Sequence, residues 1–180
     1  MKILVIDDAK RNVASARLTL QGNDVTTADS IQRAYDILNG VETFDAVLTD
    51  LFLPLGSFRG SMNTRDYDRP SSDLPAGLVF AVKAANKGIR TVLCTDANHH
   101  TDWICAILDL LYGDDGPNKR IAYVESRCVC MRAVWDDAKQ EIVPDEKWWE
   151  KNAPGIKDWL AAMKRSELFP EVDGDENKPQ

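Results

Sequence analysis

The sequence predicts an α/β domain built on a parallel sheet, and three observations carry that prediction. Lys2-Ile3-Leu4-Val5-Ile6 and Val47-Leu48-Thr49 are short, almost wholly apolar runs with β-branched content, the pattern of strands covered on both faces. Both end in acid, Asp7-Asp8 in the first and Asp50 in the second. Helix-spaced segments separate successive runs, and a β-α-β-α-β alternation favours parallel strands with right-handed crossovers.

Taken in order, residues 2–7 form the first strand and a helix follows near 9–21, with Val13, Ala14, Ala16 and Leu20 as its apolar stripe. Gly22-Asn23 tolerates the left-handed cap that closes it. Residues 24–28 make a second strand, and Asp29 or Ser30 caps a helix in which Ile31, Ala34, Tyr35 and Leu38 recur at helical spacing. Residues 44–50 are the third strand, and Pro54, lacking an N–H, helps end the extended run. Residues 55–75 show no apolar periodicity and read as an inserted loop, either functional or a solvated excursion. An amphipathic helix at 76–86, a fourth strand at 89–95, a helix at 103–112 and a fifth strand at 121–125 resume the alternation. Residues 128–143 alternate weakly, as in a hairpin around Asp136-Asp137-Ala138-Lys139, and Trp148 and Trp149 pin this excursion to the body. A closing helix spans 155–168 with Ile156, Trp159, Leu160 and Met163 inward, so that 1–169 is one domain with insertions at 55–75 and 127–150. The acidic residues 170–180 form a disordered tail.

Composition sets limits on partners. A net charge of −7 argues against a nucleic-acid-binding surface. No apolar stretch approaches the ~20 residues of a membrane span, and the N-terminus reads as a core strand, not a signal peptide. Four cysteines scattered through strand-like and helix-like segments point to a reducing, cytoplasmic setting.

The acids are the chemical signal. In an open α/β sheet, ligands bind at the carboxyl ends of strands, so adjacent first and third strands bring Asp7, Asp8 and Asp50 into one shallow pocket. Three like charges that close repel unless a cation or proton joins them, and Mg²⁺ is the hard cation such a site suits. The bland alternative is three unrelated solvated acids among 29.

Val5-Ile6-Asp7-Asp8, Leu48-Thr49-Asp50-Leu51-Phe52-Leu53-Pro54 and Val92-Leu93-Cys94-Thr95 together resemble the receiver domain of bacterial response regulators. The resemblance covers residues 1–54 and 76–125, with a last helix near 155–166. It implies a flavodoxin-like (βα)5 doubly wound sheet of order 2-1-3-4-5, with Asp50 as phosphoacceptor. It implies that Asp8, Asp50 and the Phe52 carbonyl hold Mg²⁺, that Asp7 assists through water, and that Thr95 is the switch hydroxyl. A histidine kinase or phosphotransfer protein would be the donor and a downstream protein the output partner. Arg59, Arg65 and Arg69 of the inserted loop could then reach a phosphoryl group.

The chain departs from the family in two places. Receivers carry a lysine at the end of the fifth strand; here Ser126 and Arg127 stand there as possible phosphate contacts. Asp96 follows Thr95 where a small residue is customary, adding negative charge. Both departures predict that Asp50 is modified slowly or not at all and that any switch through Thr95 is weak, and a degenerate receiver used as a phosphorylation-independent module is the alternative. An aspartate-nucleophile phosphohydrolase is less favoured, because Asp7-Asp8-Ala9-Lys10 does not match Asp-x-Asp-x-Thr. A soft-metal site from Cys128, Cys130, His99 and His100 is a weak further possibility.

Overall fold

The computed structural model describes residues 1–54, 75–95, 120–148 and 155–172. Its centre is a parallel sheet of β1 (Lys2–Ile6), β2 (Asp24–Ala28), β3 (Ala46–Thr49), β4 (Arg90–Thr95) and β5 (Ile121–Glu125), in the order β2-β1-β3-β4-β5. This is the flavodoxin-like order. Helices α1 (Lys10–Thr19), α2 (Ile31–Asn39), α3 (Ala76–Asn86) and α4 (Trp159–Arg165) cover it.

Strand periodicity sorts the core into two layers. Ile3, Val5, Leu48, Val92 and Cys94 face one way and pack with Ala16 and Leu20 of α1, Trp159 and Met163 of α4, and Phe169. Leu4, Ile6 and Val47 face the other way, against Ala34 and Leu38 of α2 and Phe80 and Ala84 of α3. Leu93 joins Leu51, Ala81 and Ile121 on that second side. Covering both faces is why these strands read as continuous apolar runs. Of the expected stripe of α1, Ala16 and Leu20 are buried and Val13 and Ala14 half-buried, and the polar Asn12 and Ser15 join the buried face.

A hairpin, β6 (Ala133–Asp136) with β7 (Glu141–Pro144), follows β5, and β7 packs beside α1. Its first arm is shorter than expected, because Ser126–Cys128 forms a single 3-10 turn instead of strand. The closing helix is also shorter. Asp158 is its N-cap, accepting from the Ala161 amide at 3.0 Å, so the helix starts at Trp159. Residues 155–157 run extended, and Lys157 forms an antiparallel bridge with Cys130. Order continues past residue 169: Pro170–Val172 is a 3-10 turn, and Glu171 pairs with Arg90 at 2.5 Å. The inserted loop at 55–74, the expected helix at 103–112, Asp96, His99, His100, Trp149 and the tail from 173 onward lie outside the described residues.

Candidate functional site

Asp7 and Asp50 leave the carboxyl ends of the adjacent strands β1 and β3, whose register pairs Ile6 with Thr49. The Asp50 amide donates to the Ile6 carbonyl at 2.8 Å and so continues that pairing to the rim. Asp8 follows Asp7 and is exposed. Carboxylate oxygens of Asp7, Asp8 and Asp50 lie within 4.8 Å of one another. The sequence brings these three together as expected, and they are the metal-capable cluster among the described residues.

Asp7 is fully buried and saturated with donors. Its Oδ1 accepts from the Ala9 amide at 2.9 Å, closing an Asx turn that starts α1. Asn12 Nδ2 donates to both of its oxygens at 3.1 Å. The fourth hydrogen bond comes from Lys157, whose Nζ lies 2.8 Å from Asp7 Oδ2 and 3.0 Å from Asp50 Oδ2. Burial acts to lower the pKa of this ammonium, but Asp7 and then Asp50 outweigh it and hold the value above the ordinary one. Lys157 is therefore a charged, buried counter-ion shared by two carboxylates. Asp50 Oδ1 accepts from the Leu51 amide at 2.7 Å.

Glycine sets the backbone of Asp50. A Cβ on Gly77 would lie 1.7 Å from the Asp50 carbonyl oxygen, and the Gly77 amide donates to the Leu51 carbonyl at 3.0 Å. The first turn of α3 can lie this close to the end of β3 only without a side chain.

Asp8 and Asp50 open into a cleft of about 470 Å³, whose lining also includes Arg11, Asn12, Phe52, Ser126, Arg127, Cys130, Trp148, Gly155 and Lys157. Ser126 is buried, and its carbonyl accepts from the Val129 amide and the Cys130 thiol. Arg127 donates to Glu125 and is otherwise exposed. Thr95 is buried at the carboxyl end of β4, in register with Glu125.

Sequence reasoning missed Lys157 and Asn12. No lysine ends β5, yet an ammonium reaches the acids from the extended residues before α4. Its signal was Asp158, an N-cap that excludes Lys157 from the helix; the helical spacing of Ile156, Trp159 and Met163 concealed it. Cys128 and Cys130, expected in the first arm of the hairpin, lie outside β6: Cys128 is exposed in the 3-10 turn, and Cys130 is half-buried beyond it.

The donor set suits a hard divalent cation. It is all oxygen, with Asp8 and Asp50 opening into the cleft and Asp7 already engaged by four hydrogen bonds.

No protein-family profile matches the chain, and no curated protein matches it significantly. Among solved structures it is similar to the N-terminal domain of a response regulator/sensory box/GGDEF protein from Carboxydothermus hydrogenoformans, at 17% identity and TM-score 0.44, over 69% of this chain and 81% of that one. It is similar to a response regulator from Thermotoga maritima in complex with Mg²⁺ and BeF, at 21% identity and TM-score 0.39, over 69% of this chain and 86% of the other. A signal receiver domain of an HD domain-containing protein from Pseudomonas fluorescens is similar over 97% of this chain and 98% of its own, at 14% identity and TM-score 0.48. These three solved structures are receiver or response-regulator proteins.

Proposed function

We propose that the chain is a receiver-like signalling domain, phosphorylated on Asp50 in a Mg²⁺-binding acidic pocket and acting through protein contact. The observation that carries this reading is one buried ammonium, Lys157, paired with both Asp7 and Asp50 where Asp8 adds a third carboxylate. A structural ion pair needs no third acid and no opening to solvent, and this site has both.

In the proposed step a carboxylate oxygen of Asp50 forms a bond to phosphorus as the bond from phosphorus to the donor's leaving atom breaks, and the electron pair departs with that atom. Lys157 stays protonated and pairs with oxygens of the transferred group. Mg²⁺, held by Asp8, Asp50 and the Phe52 carbonyl with Asp7 assisting, would offset charge on that group. Thr95 supplies the hydroxyl that turns toward the new phosphoryl group. Ser126 and Arg127 line the cleft as further phosphate contacts, Arg127 after release from Glu125. The donor is a histidine kinase or phosphotransfer protein, and output passes to a downstream protein in the cytoplasm.

Incubation with acetyl phosphate and Mg²⁺, followed by intact mass measurement, tests the reading. A single phosphoryl increment, lost in Asp50→Asn, is expected. An unchanged mass at long incubation would favour instead a module that works without phosphorylation, and sustained turnover of a phosphate ester would favour a hydrolase.

A further inference from the structure

Asn12 joins the two ends of the chain at the site. Its side chain is 3% exposed and has both functional ends occupied. Nδ2 donates to Asp7, as described, and Oδ1 accepts from the backbone amide of Lys157 at 3.1 Å. Its backbone carbonyl accepts from Trp159 Nε1 at 2.9 Å and from Ser15 Oγ at 2.8 Å. One residue in the first turn of α1 thus grips the acid at the end of β1, the backbone that carries the cation, and the first residue of α4.

We infer that Asn12 is a positioning residue: it fixes the Lys157 ammonium against Asp7 and Asp50 and thereby sets the rate of phosphoryl uptake. The inference rests on the receiver reading for its activity readout, though not for its geometry. Lysine has four rotatable side-chain bonds, and the isolated bridge to Cys130 fixes its backbone on one side only. The amide of Asn12 supplies the other anchor. It also withholds Asp7 from the cleft, since each Nδ2 contact occupies a carboxylate lone pair.

This dual grip gives a signature that general destabilisation does not. In Asn12→Ala, Asp7 loses the two Asn12 contacts while keeping Lys157 and the Ala9 amide, and becomes freer to meet a cation, so Mg²⁺ affinity holds or rises. Lys157 meanwhile loses its anchor, and uptake falls about tenfold, within the range that misplacing a group near reacting atoms produces. The two quantities move apart.

The test is a cycle of wild type, Asn12→Ala, Lys157→Met and the double variant, with uptake from acetyl phosphate and Mg²⁺ affinity measured for each. Asn12→Asp serves as a second variant, because it keeps the acceptor for the Lys157 amide but loses the donors to Asp7. Support is slower uptake without weaker Mg²⁺ binding in Asn12→Ala, and no further slowing when it is added to Lys157→Met. Multiplying effects in the double variant, or parallel losses of uptake and Mg²⁺ affinity, would overturn the inference. If wild type takes up no phosphate, the receiver reading fails, and the Asn12 inference is read from the side-chain ammonium signal of ¹⁵N-labelled Lys157. A sharp signal in wild type that broadens in Asn12→Ala and narrows again in Asn12→Asp supports it. An unchanged signal in Asn12→Ala refutes it.

Discussion

Replacing Lys157 with methionine removes the ammonium and keeps most of the side-chain volume. The side chain is 3% exposed and its Asp7 partner 0%, so the change strands a carboxylate with little access to water. Removing one member of such a pair costs about 3–5 kcal/mol. Asp7 retains the Ala9 amide and Asn12 Nδ2, and Asp50 keeps some solvent contact, which places the expectation at the lower end, ~3 kcal/mol. For a domain of this size that corresponds to a fall in Tm of roughly 6–12 °C. Urea unfolding in metal-free buffer measures it, with an unchanged m-value as the sign that stability alone has moved. Adding Mg²⁺ should restore more stability to the variant than it adds to wild type, since the cation replaces the missing charge. In Lys157→Met with Asp7→Asn the stranded charge is gone, and part of the loss should return. A loss below about 1 kcal/mol without metal, the scale of an exposed pair, would refute the claim that this ammonium balances the buried acid.

Gly77→Ala drives a methyl into the Asp50 carbonyl and should cost about 1–3 kcal/mol of stability, with weaker Mg²⁺ binding as α3 and the end of β3 separate; chemical denaturation and metal titration check both. Cys94 is buried and its thiol is pushed up to about 12 by burial, against Lys157, whereas Cys128 is exposed. Alkylation of the folded protein should therefore label Cys128 readily and Cys94 only after unfolding, as peptide mass mapping would report. The Lys157 pKa stands above its ordinary 10.5 in the folded protein, so its contribution is fully present below that pH and is lost as pH rises through the folded value. The stability difference between wild type and Lys157→Met should stay constant from about pH 7 to 9 and shrink only in the alkaline range.

Much of the sheet was legible because strands covered on both faces leave an unmistakable apolar run, and β2 and β5 kept the bounds their sequence suggested. The rim was legible because acids are costly inside a sheet and inexpensive at its end, which singled out Asp7, Asp8 and Asp50. The cation was not. Lysine in a polar-looking segment between a hairpin and a helix carries no local mark of burial; its partners are distant in sequence and only tertiary pairing reveals them. Asn12 was hidden for a related reason. A hydrophobic stripe search passes over a buried amide, although α1 uses Asn12 and Ser15 where it meets Trp159.

Lys157 reaches Asp7 across 150 positions of sequence, and the register of β1 through β5 does not involve it. Closing so distant a contact removes much chain entropy. The segment that delivers the ammonium also seats Trp159 and Met163 in the core face formed by Val5, Leu48 and Val92. Loosening it would therefore strip the acids of Lys157 and open that face of the sheet together.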